Sequence, residues 1–149
     1  MTTTSWDDDG LLGAIVRLNL AVTQVLDRIT GAHGITLADY LVLGVIRGAP
    51  GGRSAPTAIC DVLGRTTGGM SLTLDRLTVA GWVLRTPDPD DRRRVVVELT
   101  PTGAELATRV NRELHEWEAS LGLGTGVVPV IDDLTAAVAG VSRPEGAAR

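Results

Sequence analysis

Residues 82–103 have the sequence WVLRTPDPDDRRRVVVELTPTG, which contains two strand patterns and the start of a helix. A first strand is predicted over residues 82–86. The β-branched run within residues 94–99 fits a pleated, half-buried surface and predicts a second strand. A helix is expected to follow at once, because Thr100 can cap it and Pro101 stands where no amide donor is needed. These residues therefore predict a β-hairpin that leads directly into a helix.

The loop of this hairpin is bounded by prolines and carries arginines. Pro87 and Pro89 are expected to interrupt strand pairing, since proline offers no N–H group to the ladder. The loop is therefore predicted over residues 88–93. It presents Arg92 and Arg93 at a narrow, basic tip.

The residues before the hairpin predict two short helices joined by a tight turn. The first covers residues 56–63, opens with proline and closes at Gly64, which tolerates the left-handed conformation common at helix ends. Residues 64–66 form the turn. The second helix runs from Thr67 to a stop at Gly81, with an inward face of Met70, Leu74 and Leu77. This arrangement matches the helix-turn-helix, whose second helix enters the major groove of DNA.

With these motifs the chain resembles the MarR family (multiple-antibiotic-resistance regulators), winged-helix transcription factors that act as dimers. The resemblance covers most of the chain. It rests on residues at the family's spacing for the recognition-helix end, wing and helix start: Leu77, Gly81, Asp88, Asp91, Arg93, Leu99, Thr100 and Gly103. Residues 35–43 more weakly resemble the start of the family's second helix. The physical interpretation agrees there, because Thr36 can cap a helix whose first turn contains Asp39.

The resemblance implies a mainly α-helical fold with a small β-hairpin wing and a winged helix-turn-helix core. We expect one domain over residues 1–149, with the core at residues 36–99. Terminal dimerisation helices are expected at residues 8–33 and 101–141, and both segments have amphipathic patterns. A homodimer would bring two reading units to a palindromic operator of double-stranded DNA. The alternative is that these helices simply pack on the core of their own chain.

The distribution of charge along the chain is compatible with a nucleic-acid partner, although the net charge of the whole chain is negative. The net charge of −4 and pI of about 5.1 argue weakly against DNA binding. Residues 65–98, however, contain six arginines and five acidic groups, a net charge of +1 against −5 for the remainder. All fourteen cationic residues are arginine, whose planar guanidinium suits phosphates and base edges. A compositional bias of the genome would explain the absence of lysine equally well.

Projection of the second helix identifies the candidate DNA-reading face. With the apolar stripe inward, the outward face and its edges consist of Thr67, Gly68, Gly69, Ser71, Leu72, Asp75, Arg76 and Val79. DNA contacts are expected from Thr66, Thr67, Gly68, Gly69, Ser71, Leu72, Arg76, Arg92 and Arg93.

The reading face is poor in polar side chains. Many MarR relatives carry arginine at the position of Leu72. One interpretation is that Gly68 and Gly69 admit a close backbone approach while Leu72 meets a thymine methyl group. The other is that relaxed selection has left a weak binder, and the sequence does not decide between them.

The wing residues also have two interpretations. Asp91 and Arg93 are expected to pair with each other or with neighbouring backbone, as the family pattern implies, and so to hold the tip in shape. Arg92 or Arg93 would then enter the minor groove, where A·T-rich DNA attracts guanidinium. A solvated run of charges is the alternative for such a cluster.

The remaining candidates concern effectors, redox chemistry and metals. The family binds small aromatic or lipophilic effectors near the second helix, which implicates Tyr40 and Leu43, although core packing explains both residues equally well. Cys60 is expected to be buried and inert rather than a redox sensor. The two histidines, His33 and His115, have no metal-ligand spacing, so no metal and no cofactor are expected.

The sequence therefore predicts a dimeric transcriptional regulator, a repressor rather than an activator, released by a small-molecule effector. The alternative is a non-enzymatic dimeric interaction protein that keeps the fold with weakened DNA binding. No nucleophile–base pair or phosphate loop has useful spacing, so an enzyme is not expected. A cytoplasmic location is expected, because no apolar run has the length of a membrane span and the start of the chain, with Asp7–Asp9, lacks a signal-peptide pattern.

Overall fold

A computed structural model describes residues 10–141, and within them six α-helices and three short strands are formed. In chain order they are α1 (Leu11–Ala32), α2 (Leu37–Gly48), β1 (Arg53–Ser54), α3 (Pro56–Leu63), α4 (Thr67–Val79), β2 (Val83–Pro87), β3 (Val95–Leu99), α5 (Pro101–Ser120) and α6 (Val127–Val141). The expected helix start at residue 8 and the acidic run at residues 7–9 lie outside the described residues. The mainly helical fold with a small hairpin is confirmed.

The chain divides into two compact units, Met1–Leu114 and His115–Arg149. The described part of the first unit holds the elements from α1 to β3 and most of α5. Its core is formed by apolar side chains that are almost completely buried: Val42, Leu43, Ile46, Ile59, Met70, Leu74, Leu77, Val97 and Val110. The described part of the second unit holds the end of α5 and the whole of α6.

Local sequence signals set the helix boundaries of the core. Thr36 and Asp39 form a complete capping box at the start of α2, in which the Thr36 Oγ1 accepts from the Asp39 amide at 3.1 Å. Gly64 closes α3 with φ of +61°, a conformation that costs glycine little. Thr66 then caps α4 by accepting from the Gly69 amide at 3.4 Å. The predicted helix-turn-helix boundaries at residues 56–67 are thus confirmed.

The sheet is antiparallel with strand order β1–β3–β2, and its first strand was not expected from the sequence. β1 has only two residues, with Arg53 opposite Glu98 and Ser54 opposite Val97. So short a strand has no periodicity to detect.

The prediction that Pro87 interrupts pairing was wrong, because Pro87 ends β2 opposite Val95. The amide of the next residue, Asp88, donates to the Arg94 carbonyl at 2.9 Å. Paired hydrogen bonds alternate along an antiparallel ladder, so Pro87 occupies a position where the partner strand needs no donor. β2 is therefore shifted by one residue from the prediction, to Val83–Pro87 in place of 82–86, and β3 begins at Val95 instead of Arg94.

The hairpin and α5 are joined tightly at Trp82. The Trp82 carbonyl accepts from the Thr100 amide at 3.0 Å, and the Thr100 hydroxyl donates to the Gly81 carbonyl at 2.7 Å. The same Thr100 Oγ1 accepts from the Gly103 amide at 3.0 Å, which confirms it as the expected cap. A Cβ atom at Gly103 would lie 1.9 Å from the Trp82 carbonyl oxygen. Only glycine therefore fits at this position of α5.

Both ends of the described chain expose large apolar side chains. On α1 these are Leu11, Leu12, Leu18 and Leu20, and in the second unit they are Leu121, Leu123, Val128, Val130, Ile131 and Val138. Exposed leucines and valines in such number are typical of surfaces covered by another protein.

Between residues 10 and 141 no single helix is long and apolar enough to cross a bilayer. Helices α1 and α2 meet the criteria of length and composition only when taken together, and they are bent by 82° at their junction.

Candidate nucleic-acid interface

Helix α4 presents one buried face and one exposed face, as its sequence predicted. Met70, Leu74 and Leu77 are at most 1% exposed and fix the helix against the core. The opposite face is exposed along its whole length, and Leu72 retains 72% and Val79 90% of their accessible surface. Thr67 and Ser71 are also exposed. The helix is thus available to a partner over three turns.

The two glycines of α4 have no packing reason to be glycine. A Cβ atom at Gly68 would meet nothing within 4 Å, and one at Gly69 would make only an ordinary contact of 3.5 Å with the Thr66 hydroxyl. Both residues have helical backbone and lie on the exposed side. Because glycine is unfavourable within a helix relative to alanine, these residues weaken α4 without any gain in packing inside the described chain.

Arg76, expected among the DNA contacts, is engaged within the protein. Its guanidinium donates to the Asp39 carboxylate, whose side chain is only 4% exposed, while the arginine side chain remains 54% exposed. Asp39 also accepts from the amide and the hydroxyl of Thr36, at 3.0 and 2.8 Å. The sequence suggested the Thr36 partnership but gave no sign of the arginine.

The pKa of Asp39 reflects these contacts. Burial acts to raise it, but the hydrogen bonds from Arg76 and Thr36 and the nearby positive charge together hold the pKa below its ordinary value of 3.8. The carboxylate is therefore ionised at neutral pH and anchors α4 to α2.

A second ion pair links α4 to the β2–β3 hairpin. Arg85 on β2 forms an ion pair with the Asp75 carboxylate on α4, with 2.7 Å between Nη2 and Oδ1. Both side chains are partly exposed, at 38% and 58%. The pair neutralises the acidic group on the exposed face of α4 and reduces the positive potential around Arg85.

The wing tip is shaped by its aspartates. The Asp88 Oδ1 accepts from the Asp90 amide at 2.9 Å, and the Asp91 Oδ1 accepts from the Arg93 amide at 3.1 Å. The ion pair of Asp91 is formed with Arg94, at 3.4 Å between Nε and Oδ2. Asp91 therefore contacts the backbone of Arg93 and the side chain of Arg94, a residue that the sequence reasoning did not single out.

This arrangement leaves arginine charge available at the tip. Within residues 10–141, the guanidinium groups of Arg92 and Arg93 have no hydrogen-bond or ion-pair partner, and both residues are exposed. Arg65, in the turn before α4, is likewise exposed and unpaired in the described structure. The helix-turn-helix and the wing thus both present unneutralised guanidinium groups.

The effector candidates Tyr40 and Leu43 lie on α2 beside α5. Leu43 is completely buried, and the Tyr40 hydroxyl donates to the Asn111 Oδ1 at 3.2 Å. Arg47 donates to the same oxygen at 3.0 Å. Two surface cavities, of about 610 and 360 Å³, border the wing, and neither is lined by Tyr40 or Leu43. An effector role for these two residues stays a prediction.

Cys60 is 5% exposed on α3, as expected from its place in the helix-turn-helix. Burial of a thiol keeps it away from oxidants in solution.

Comparison with known proteins identifies the family. Residues 33–94 match the model of the MarR family. The multiple antibiotic resistance protein MarR of Salmonella typhimurium is 36% identical over 108 residues, which are 67% of this chain and 74% of that protein. The chain belongs to the MarR family. It is a transcriptional regulator of the winged-helix class.

Two solved structures extend the similarity over nearly the whole MarR fold. A mutant MarR from E. coli, complexed with operator DNA, has a TM-score of 0.71 and 29% identity, with 91% of this chain and 99% of that one covered. The transcriptional repressor CouR, bound to a 23-mer DNA duplex, has a TM-score of 0.73 and 25% identity, covering 96% and 99%.

Proposed function

We propose that this MarR-family regulator is a homodimeric repressor that binds a palindromic operator and is released by a small aromatic or lipophilic effector. The single observation that carries the proposal is the exposed face of α4 beside a wing tip with unpaired arginines. The similarity to MarR with operator DNA and to the DNA-bound repressor CouR supports it.

The contacts of the described residues suggest a different role for each part of the proposed interface. Thr66, Thr67, Gly68, Gly69, Ser71 and Leu72 would lie along the major groove, with the start of the helix against the backbone phosphates. Arg92 and Arg93 would reach the minor groove from the wing. Arg76 would act through its bond to Asp39 as a positioning residue that sets the angle of α4.

Dimerisation supplies the second half-site. The exposed leucines of α1 and the exposed apolar residues of α6 are the proposed subunit contacts. We propose that residues 1–149 act as one functional domain, with the core at 36–99 and dimerisation helices on either side. Two recognition helices would then read half-sites about one helical turn of DNA apart.

The remaining proposals follow from this role. Tyr40 and Leu43 are proposed to lie near the effector, at the junction of α2 and α5. A protein that works by binding an operator needs no catalytic group, so we propose that the chain is not an enzyme. We also propose a cytoplasmic location, where operator DNA and small effectors meet.

A second candidate function is a dimeric interaction protein with weakened DNA binding. The observation in its favour is the scarcity of available polar readers on α4, since Arg76 and Asp75 are both held in ion pairs. Direct readout by hydrogen bonds would then be poor.

Selection of bound sequences from random DNA separates the two candidates. The repressor proposal expects enrichment of a palindrome, a gel shift on the DNA upstream of its own coding sequence, and a dimer by light scattering at micromolar concentration. A dimer that enriches no sequence would favour the interaction protein. A monomer under these conditions would contradict both.

A further inference from the structure

Both charged side chains on the exposed face of α4 are held in ion pairs with other residues of the protein. Arg76 is bound to Asp39, and Asp75 is bound to Arg85. A side chain in an ion pair must break that pair before it hydrogen-bonds to a base edge. Neither charged residue of α4 is therefore a ready reader of sequence.

The hydroxyl groups of α4 are engaged within the helix or lie near its start. Thr73, in the middle of the helix, is 6% exposed and donates to the Gly69 carbonyl at 3.1 Å, and Thr78, near the end, donates to the Leu74 carbonyl at 2.7 Å. The Ser71 hydroxyl donates its proton to the Thr67 carbonyl at 3.1 Å, and the Thr66 Oγ1 accepts the capping bond. These positions belong to the first turns, where helix N-termini contact phosphates. Little hydrogen-bonding capacity is left for bases in the middle of α4.

Leu72 occupies the centre of the face that remains. It is 72% exposed, and it follows Gly68 by four residues and Gly69 by three, so all three share one side of the helix. Open space surrounds the position of a Cβ at Gly68. Absent side chains one turn earlier allow the backbone to approach a groove closely, and Leu72 is then the side chain that extends to its floor.

From this geometry we infer that Leu72 determines specificity by selecting thymine in each operator half-site. The inference rests on the proposed DNA binding. Thymine alone of the four bases offers a methyl group in the major groove, whereas the other edges there are polar. A leucine placed over the polar edge of another base would displace the water bound to that edge without replacing its hydrogen bonds, which costs free energy. The leucine methyls would contact the thymine C5 methyl and exclude water from both.

The test replaces thymine by deoxyuridine in the selected operator, one position at a time. This change removes only the C5 methyl and leaves base pairing intact. Binding is measured for the wild-type dimer, for Leu72→Ala and for Val62→Ala, the matched control at an exposed apolar residue of α3 that is 67% exposed. Because both side chains are exposed, neither variant should alter the melting temperature appreciably.

We expect one thymine position in each half-site at which deoxyuridine weakens wild-type binding by about fourfold, the equivalent of one buried methyl group. Leu72→Ala should abolish that discrimination, and Val62→Ala should retain it. Wild-type binding that tolerates deoxyuridine everywhere, or discrimination that survives in Leu72→Ala, would overturn the inference while leaving DNA binding intact. Failure of the wild type to bind any selected duplex would instead overturn the proposed function, and this inference with it.

Discussion

Arg76 of the recognition helix hydrogen-bonds to the buried carboxylate of Asp39, 37 residues earlier on α2. Asp39 is also the capping partner of Thr36. One carboxylate therefore stabilises the start of α2 and fixes the orientation of α4 against it.

Loss of this ion pair should lower the stability of the fold. Arg76→Ala should lower the free energy of unfolding by about 1–2 kcal/mol, less than for a fully buried pair because the arginine is half-exposed. Arg85→Ala, which breaks the more exposed pair with Asp75, should cost less than about 1 kcal/mol. Urea denaturation of both variants measures the difference. Equal losses would show that burial of Asp39 does not strengthen its pair.

The Asp39 carboxylate should also contribute to acid sensitivity. Its pKa in the folded protein lies below the ordinary 3.8, so it stabilises the fold above that pH and the contribution is lost as pH falls through the folded-state pKa. Asp39→Asn has no such titration. The stability advantage of the wild type over Asp39→Asn should be constant from pH 7 to about 5 and shrink below about 4. An advantage that stays constant to about pH 3 would argue against a depressed pKa.

Arg93 and Arg85 differ in whether their charge is already neutralised. We expect Arg93→Ala to weaken operator binding by about tenfold. The slope of the logarithm of the binding constant against the logarithm of salt concentration should also fall, by the equivalent of about one phosphate contact per wing. Arg85→Ala should weaken binding less, because its guanidinium is paired with Asp75. Titrations at several salt concentrations provide the comparison, and melting curves should be unchanged for Arg93→Ala since the residue lies in a loop. Equal affinity of the wild type and Arg93→Ala at moderate salt would refute this role.

Replacement of the glycines of α4 by alanine should change stability and operator affinity in opposite directions. Gly68→Ala and Gly69→Ala should each raise the free energy of unfolding by up to about 1 kcal/mol and reduce operator affinity. Gly44→Ala is the matched control, since a Cβ there also meets nothing within 4 Å but lies on α2. It should raise stability and leave affinity unchanged. If the α4 alanine variants bind as well as the wild type, the weak-binder interpretation becomes the better one.

Gly103 should behave in the opposite way. Gly103→Ala would place a Cβ 1.9 Å from the Trp82 carbonyl oxygen, so the backbone of α5 or of Trp82 must shift. We expect a loss of about 3 kcal/mol in the free energy of unfolding, as for severe overpacking of a core. Thermal unfolding is measured for Gly103→Ala and, as the control, for Gly68→Ala, whose new methyl group has open space. The difference between the two variants isolates the steric effect. A change below about 1 kcal/mol would contradict the close approach.

The features of the fold that the sequence predicts correctly are those controlled by a local signal. Gly64 ends α3, Thr36 caps α2, and the spacing of Met70 and Leu74 identifies the buried face, because each depends on neighbours within one or two turns. The prediction failed at Pro87, whose tolerance depends on the hydrogen-bonding phase of the partner strand.

The ion pairs of the candidate interface could not be predicted for a similar reason. Arg76 meets Asp39 only after α2 and α4 pack together, and Arg85 meets Asp75 only after the hairpin folds against α4. Nothing in the sequence spacing distinguishes these arginines from Arg93, which is left without an ion-pair partner among the described residues. Which positive charges remain available is thus a property of tertiary structure.

The close contact at Gly103 also makes the wing and α5 move together. β3 ends at Leu99 and α5 begins at Pro101, so no flexible linker separates them. β3 extends over five residues from Leu99 back to Val95, roughly 17 Å along an extended strand, and the wing tip lies at its far end. The hairpin then acts as a lever arm pivoted at Trp82, and a tilt of about 10° in the first turns of α5 would displace the far end of β3 by about 3 Å, roughly half the width of a minor groove.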